Sequence, residues 1–386
     1  METKVYDVAI VGAGPAGSSA AIRLANAGRS VLLVEQKKFP REKLCGEFVS
    51  PECLEHFREL GVSSKIGQVD PSIVTETVFY SRGGRPLHIN AEWLTASHGN
   101  AIGLSRSCLD QLLLEQARES GADVFEETTG LPVVIGGRPQ HIKLRNLEGP
   151  DRTVEAGILI DATGRNRGLM RGVEPAGKPR RAEYVAFKVH VRNAEIDKGA
   201  CELYSYPDGY GGCCEIENNL YNLCFIVRAA QVKKLGNDHE RIWREAVLKN
   251  ARAMEALESA AVAGEWLAVP ITKLGVGEPA PTKGLLSVGD AASFIDPFTG
   301  SGIALALESS RCAANAIVEN KGFEEIAFAY RQKYEATLKR RMRFASYVRV
   351  AGRVGWLADG LIWLLGRNES LRKFAAQRSR VNDAGE

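Results

Sequence analysis

Residues 5–35 constrain this chain more than any other stretch. An apolar run at 8–11 leads into Gly12-Ala13-Gly14-Pro15-Ala16-Gly17, and a helical pattern follows from about 15 to 27, stopped by Gly28. A second apolar run, 30–35, ends in Glu35. Strand, glycine turn, helix and strand in that order predict a βαβ unit with both strands parallel and buried. Gly12 permits the tight turn, Gly14 lets the backbone approach a pyrophosphate, and Gly17 lets helix and strand pack closely. Pro15 and Ala16 open the helix, whose N-terminal N–H groups suit phosphate charge. Glu35 stands 18 residues after Gly17 and can accept from an adenosine ribose hydroxyl. The unit predicts dinucleotide binding.

Two later segments choose between dinucleotides. Gly289-Asp290-Ala291-Ala292 follows an expected strand at 285–288. Pro297-Phe298-Thr299-Gly300-Ser301-Gly302 then opens a long Ala-rich helix at 302–319. An Asp at a strand end can accept from a polyol hydroxyl, and a glycine-rich helix start can stabilise an anionic ring. FAD has a ribityl chain and a ring that becomes anionic on reduction; NAD has neither. No second fingerprint is present, because Gly275-Val276-Gly277 runs into Glu-Pro-Ala rather than a helix. NADPH, a candidate reductant, would therefore bind without a Rossmann domain of its own.

Between these motifs the grammar changes. Residues 50–51 are expected to cap a helix closed by Gly61, 75–90 to form a hairpin broken at Gly83-Gly84, and 107–120 to form a helix. Residues 122–160 are strand-rich, and 183–228 read as short antiparallel strands with a tight turn at Asn218-Asn219. A helix is expected over 240–259. The fold class is α/β: a Rossmann-like FAD domain (1–74, 97–180 and 269–322), an inserted antiparallel sheet domain for substrate (75–96 and 181–268), and a helical C-terminal region (323–386).

The combined motifs resemble the class A flavin monooxygenase superfamily and, within it, the geranylgeranyl reductase group. The points of likeness are GxGxxG with Glu35, Phe39-Pro40-Arg41-Glu42-Lys43-Leu44-Cys45-Gly46-Glu47, Arg106 ahead of Leu109-Asp110-Gln111-Leu112, Asp161-Ala162-Thr163-Gly164, and Gly289–Ile303. The resemblance implies an extended FAD. Arg41 and Arg106 would lie along its phosphates and ribityl chain, Asp290 at the ribityl or pyrophosphate, and Gly300, Gly302 and Ile303 at the ring. Asp161 and Gly164 would close the site beside the first helix. Cys45 and Glu47 either face substrate near the ring or pack. Tyr210 keeps the first position of a Tyr-x-Trp-x-Phe-Pro signature, but Gly212, Cys214 and Glu215 replace the rest, so the cavity floor is expected to be remodelled and wider.

Composition excludes several classes. The chain has 386 residues and a net charge of +3, yet residues 321–386 hold 14 Lys/Arg against 7 Asp/Glu. No nucleic-acid motif accompanies that charge. Lys339-Arg340-Arg341-Met342-Arg343 and the Trp/Leu residues of 356–365 read either as a solvated face or as an interfacial membrane patch. The N-terminus lacks a signal pattern, and the eight Cys lack zinc spacing, so a reduced cytoplasmic protein without a metal centre is expected. The six His are read as surface or hairpin positions. The expected function is that of an FAD-dependent oxidoreductase, first as a monooxygenase that hydroxylates or epoxidises a lipophilic aromatic or alkene through a flavin hydroperoxide. A C=C reductase of the geranylgeranyl type stands second, and a non-catalytic FAD-binding protein third.

Overall fold

The computed structural model describes residues 4–94, 99–135, 138–146, 150–170, 181–236, 238–272, 275–294, 300–337 and 365–378. In the first sheet, Asp123–Phe125, Val31–Val34, Val5–Val11, Arg152–Asp161 and Leu285–Ser287 run parallel. The hairpin Thr128–Ile135/Arg138–Asn146 adds antiparallel to the start of Arg152–Asp161. The two-residue period sorts the side chains. Val8 and Ile10 enter a core with the helices Pro15–Asn26, Arg106–Glu119 and Gly302–Glu319, whereas Ala9 and Val11 join Ile142 and Leu144 on the other face. Ser310 Oγ donates to Ala16 O at 2.7 Å and ties the first helix to the last of these.

The second sheet has the order Ala261–Val262, Tyr184–Arg192, Leu220–Arg228, Gly209–Ile216, Ala200–Tyr206, Glu76–Tyr80, Pro86–Asn90, with Leu267–Ile271 also on Tyr184–Arg192. The expected hairpin at 75–90 is there, and the Asn218-Asn219 turn has φ of 63° and 55°. Phe187, Val189, Leu223, Phe225 and Val227 bury one face against Ile242 and Trp243. Their alternates, Lys188, His190, Asn222 and Cys224, point the other way, toward the first sheet's loops.

Two local expectations need correction. The helix at 240–259 is interrupted: His239–Ala246, a 3-10 turn Val247–Lys249, and Ala251–Leu257. Buried Asn250 explains the break. Its amide donates to Ser81 O and Ser205 O while its Oδ1 caps Ala253 N, which needs extended rather than helical backbone. The helix after Pro51 begins only at Cys53 (Cys53–Glu59) and lacks a side-chain cap.

A three-strand sheet, Phe48–Val49, Ala101–Gly103 and Ser72–Val74, joins the two layers. Gly103 has to be glycine, since a Cβ there would lie 1.8 Å from Glu215 O of the second sheet. Residues 323–337 are helical and clamp the first layer: Tyr330 Oη donates to Ser287 O at 2.7 Å, and Tyr334 Oη to Ser293 Oγ at 2.5 Å. The basic and aromatic stretch 339–364 lies outside the described residues. The helix Glu369–Arg378 sets Arg372 over the Trp93 ring at 5.8 Å. No described helix is long and apolar enough to cross a membrane.

Candidate functional site

The glycine turn is built as its spacing implies. Gly12 has φ +103°, and a Cβ on it would lie 2.4 Å from Ala162 O; one on Gly17 would lie 1.8 Å from Gly12 O. Both glycines therefore serve backbone packing. Gly14 differs, because a Cβ there meets nothing closer than Arg106 Nη2 at 3.7 Å. Pro15 and Ala16 begin the helix, both buried. Glu35 is buried at the end of the second strand, accepting from Ala13 N at 2.9 Å and Lys37 N at 3.0 Å.

Cations gather beside this turn. Arg106 Nε and Nη2 make a bidentate pair with buried Asp110, at 2.7 Å each, and Arg41 reaches the same carboxylate at 3.4 Å and Glu35 at 3.6 Å. Arg41 Nη1 is buried with no hydrogen bond. Loss of water around the ammonium, although the residue as a whole is exposed, together with the repulsion of Arg41, Arg106 and Arg165, pushes Lys43 down. Asp290, on the turn Gly289–Ala291, is pushed up by burial, while Arg165, Arg106 and Lys43 pull the other way. Arg41, Lys43, Arg106 and Arg165 thus face Glu35, Asp110 and Asp290 around Gly14. Gathering like charges at a partly dry spot is costly unless an anion joins them. The open Gly14 and an Arg41 Nη1 that makes no hydrogen bond fit a dinucleotide diphosphate, and Glu35 at the strand end fits a ribose hydroxyl. Sequence reasoning missed Lys43 and Arg165; their signal was a third and fourth cation beside matched motifs.

The remaining expected cofactor residues divide. Asp161 is buried and turned into its own loop, accepting from Thr163 N, Thr163 Oγ1, Leu169 N and Met170 N, so it shapes the loop. Gly164 (φ +71°) and Gly302 both border open space. Gly300 (φ +60°) would set a Cβ 3.1 Å from the Phe48 ring. The Ile303 side chain is buried in the main core, which leaves its backbone to face any ligand. Residues 295–299 lie outside the described residues.

Glu47 requires a correction. Rather than facing a substrate, it is fully buried, at φ +54°. Its Oε1 accepts from Lys188 Nζ at 2.6 Å and Arg106 N at 2.8 Å, and its Oε2 pairs with His190 Nε2 at 2.7 Å. Burial opposes its charge, but the bonds from His190, Lys188 and Arg106 N outweigh it and hold the carboxyl below the usual range. The reading of every His as a surface or hairpin residue fails with it. His190 alternates with Lys188 on an otherwise apolar strand, and that polar stripe was the overlooked signal. Glu42, Glu47 and His190 bring three ligand atoms within 4.8 Å of one another, a constellation the sequence did not suggest. The Lys188 ammonium already lies between the two carboxylates, 2.5 Å from Glu42 and 2.6 Å from Glu47, as their countercharge.

Cys45 is half-buried. Its Sγ accepts from Glu47 N at 3.4 Å, its carbonyl takes Asn222 Nδ2 at 3.0 Å, and the thiol lies within electrostatic reach of the Arg106 guanidinium. Leu44, Tyr210 and Phe294 pack on one apolar cluster of Tyr184, Ala186, Ile226 and Ile271. The loop, the second sheet and the segment after Asp290 therefore meet at one place. The expected extra width at Gly212 is corrected: Leu203 Cδ2 lies 2.4 Å from where a Gly212 Cβ would be, so the cross-strand leucine fills that volume. Cys213 and Cys214 point to opposite faces, and all eight cysteines are free thiols.

A family profile described as an FAD binding domain matches residues 5–332. The chain belongs to this FAD-binding family. It is similar to digeranylgeranylglycerophospholipid reductase 1 of Methanococcoides burtonii, 30% identical over 348 residues, 86% of this chain and 78% of that protein. It is also similar to conditioned medium factor receptor 1 of Dictyostelium discoideum, 27% identical, covering 89% of this chain and 68% of that one. Among solved structures, a geranylgeranyl bacteriochlorophyll reductase-like protein from Thermoplasma acidophilum superposes with a TM-score of 0.79, 21% identity and coverage of 97% and 96%. A flavin-dependent brominase gives 0.78, 22%, and 94% of each chain. These two likenesses concern the fold. As a member of the FAD-binding family, the protein is an FAD-dependent oxidoreductase.

Proposed function

We propose that the protein reduces a C=C bond of a lipophilic, isoprenoid-like substrate. The observation that carries this reading is Cys45, a half-buried thiol within electrostatic reach of the Arg106 guanidinium, on a loop whose Leu44 shares an apolar cluster with Tyr210. Gly12, Gly14, Pro15, Ala16, Gly17, Glu35, Arg41 and Arg106 hold the dinucleotide end of FAD in this reading, with Lys43 and Arg165 as added countercharge. Gly164, Asp290, Gly300, Gly302 and Ile303 line its remainder. FAD held there would supply, when reduced, the hydride that an alkene reduction needs at one carbon. Cys45 gives the proton that the other carbon needs, and the Arg106 guanidinium stabilises the thiolate left behind. Solvent then returns a proton to sulfur. Tyr210 and its cluster keep the alkene dry and oriented. NADPH is the proposed source of electrons. The relatives named as lipid reductases support reduction over the monooxygenation that the motifs alone put first. The basic and aromatic tail supports attachment to an anionic lipid surface, where such a substrate would be met.

A single-turnover reaction of the reduced protein with a geranylgeranylated glycerolipid under ¹⁸O₂ tests this. The expected product gains two hydrogens and no ¹⁸O. Cys45→Ala should slow the step by about 10² or more while FAD content holds. A product carrying ¹⁸O makes the protein a monooxygenase, and an undiminished Cys45→Ala rate removes the thiol as donor.

A further inference from the structure

Lys188 lies mid-strand in Tyr184–Arg192 and is 2% exposed, although lysine is almost never buried unless paired. Its neighbours Phe187 and Val189 face the helices, so strand alternation sends it toward the loop 39–47. There it binds two acids of different character. The Glu42 side chain is 42% exposed, and Glu47 is wholly buried. His190, two residues on, takes the second Glu47 oxygen, and Asn222 of the adjacent strand holds the Cys45 carbonyl. Three side chains of the second sheet thus grip the loop at 45–47, and Lys188 also grips it at 42.

The loop needs a grip. It carries Arg41 and Lys43 to within electrostatic reach of Arg106 and Arg165; Glu35 and Asp110 hold Arg41 inward at 3.6 and 3.4 Å, but the mutual repulsion of the cations still pushes on the loop at Lys43. The backbone offers little opposition, because 42–46 forms no helix and no strand. A buried ammonium between two loop carboxylates opposes that push from behind, at low dielectric, where such pairs act strongly. Glu47 passes the constraint on through Arg106 N, at the start of Arg106–Glu119.

We propose that Lys188 is a positioning residue: through its pairs with Glu42 and Glu47, the second sheet fixes Arg41, Lys43 and Cys45 at the cofactor end and keeps Cys45 covered. The inference rests on the proposed function for the place of FAD among these cations. Its measurements involve no alkene, so it and the reductase reading fail separately.

The test uses purified FAD-loaded protein. N-ethylmaleimide labelling is followed by peptide mass spectrometry at Cys45 and at Cys312, which lies far along the helix Gly302–Glu319, beside Thr337. FAD dissociation is read by flavin fluorescence. In Lys188→Met, both Cys45 labelling and the FAD Kd should rise by about tenfold or more, the size of one lost close coupling. Cys312 labelling should stay at the wild-type rate. Lys188→Met leaves Glu47 with less countercharge and can fold poorly. Lys188→Met/Glu47→Gln removes both charges and should show the same two rises in a folded protein. Wild-type Cys45 labelling and FAD affinity in either folded variant would overturn the inference. Equal rises at Cys45 and Cys312 would overturn it too, since they mark general loosening rather than a released loop.

Discussion

Gly14 and Gly17 stand three residues apart and answer to different forces. A Cβ on Gly14 makes an ordinary contact at 3.7 Å, and its φ of −72° suits any residue. A Cβ on Gly17 would overlap the Gly12 carbonyl at 1.8 Å. Substitution should therefore separate binding from folding. Gly14→Val should unfold in urea close to wild type yet bind FAD at least about tenfold more weakly, a loss of roughly 1.4 kcal/mol. Gly17→Ala should lose about 1–3 kcal/mol of stability through overpacking. Urea titration and flavin fluorescence read both. Full FAD affinity in Gly14→Val would take Gly14 out of the phosphate cradle.

At the scale of elements, a buried histidine makes the helix packing sensitive to pH. His56, on Cys53–Glu59, sits with Nδ1 3.2 Å from Arg23 Nη2 and Nε2 3.4 Å from Glu308. Arg23 can only donate, so Nδ1 accepts and the proton is assigned to Nε2, toward Glu308. Burial chiefly, with Arg311 and Arg23, lowers its pKa from 6.5 to about 4 against the pull of Glu308 and Glu59. The folded protein holds this ring neutral while the unfolded chain protonates it. Stability is therefore lost as pH falls from 6.5 to about 4, and this contribution levels off below that. The span corresponds to on the order of 3 kcal/mol. His56→Gln keeps a polar contact without titrating, so its urea midpoint should fall less than wild type over this range. Parallel pH profiles for the two proteins would show that His56 does not titrate as described.

For the whole molecule, charge is unevenly placed. The 66 residues from 321 carry a surplus of +7, so the preceding 320 sum to −4 against a total of +3. Each basic residue held near an anionic membrane contributes about 1 kcal/mol, so four of them matter. Wild type should co-sediment with phosphatidylserine vesicles and release in high salt, which screens the attraction. Changing Lys339, Arg340, Arg341 and Arg343 together to Gln should lower the bound fraction at least about tenfold. Equal binding to neutral and anionic vesicles, or none, would leave the tail as a packing element.

The sequence by itself determined the βαβ unit, the packing roles of Gly12 and Gly17, the place of Glu35 at a strand end, the long helix from Gly302 and the second sheet, whose pairs are antiparallel except that of Ala200–Tyr206 with Glu76–Tyr80. Each follows from local spacing: a period of two or 3.6, a glycine where backbone approaches backbone, a carboxylate at a strand end. The interrupted helix at Asn250 was hidden because its cause is two carbonyls, Ser81 and Ser205, far away in the chain. Leu203 filling the space over Gly212 was hidden likewise, since cross-strand register is a pairing between segments. Glu47 shows the division most clearly. Its motif marked the position, but whether its carboxylate faced a ligand or a lysine depended on which strand crossed behind it. Only the tertiary structure brought Lys188 and His190 there, more than 140 residues away, because burial of charge is decided by the partners that packing supplies.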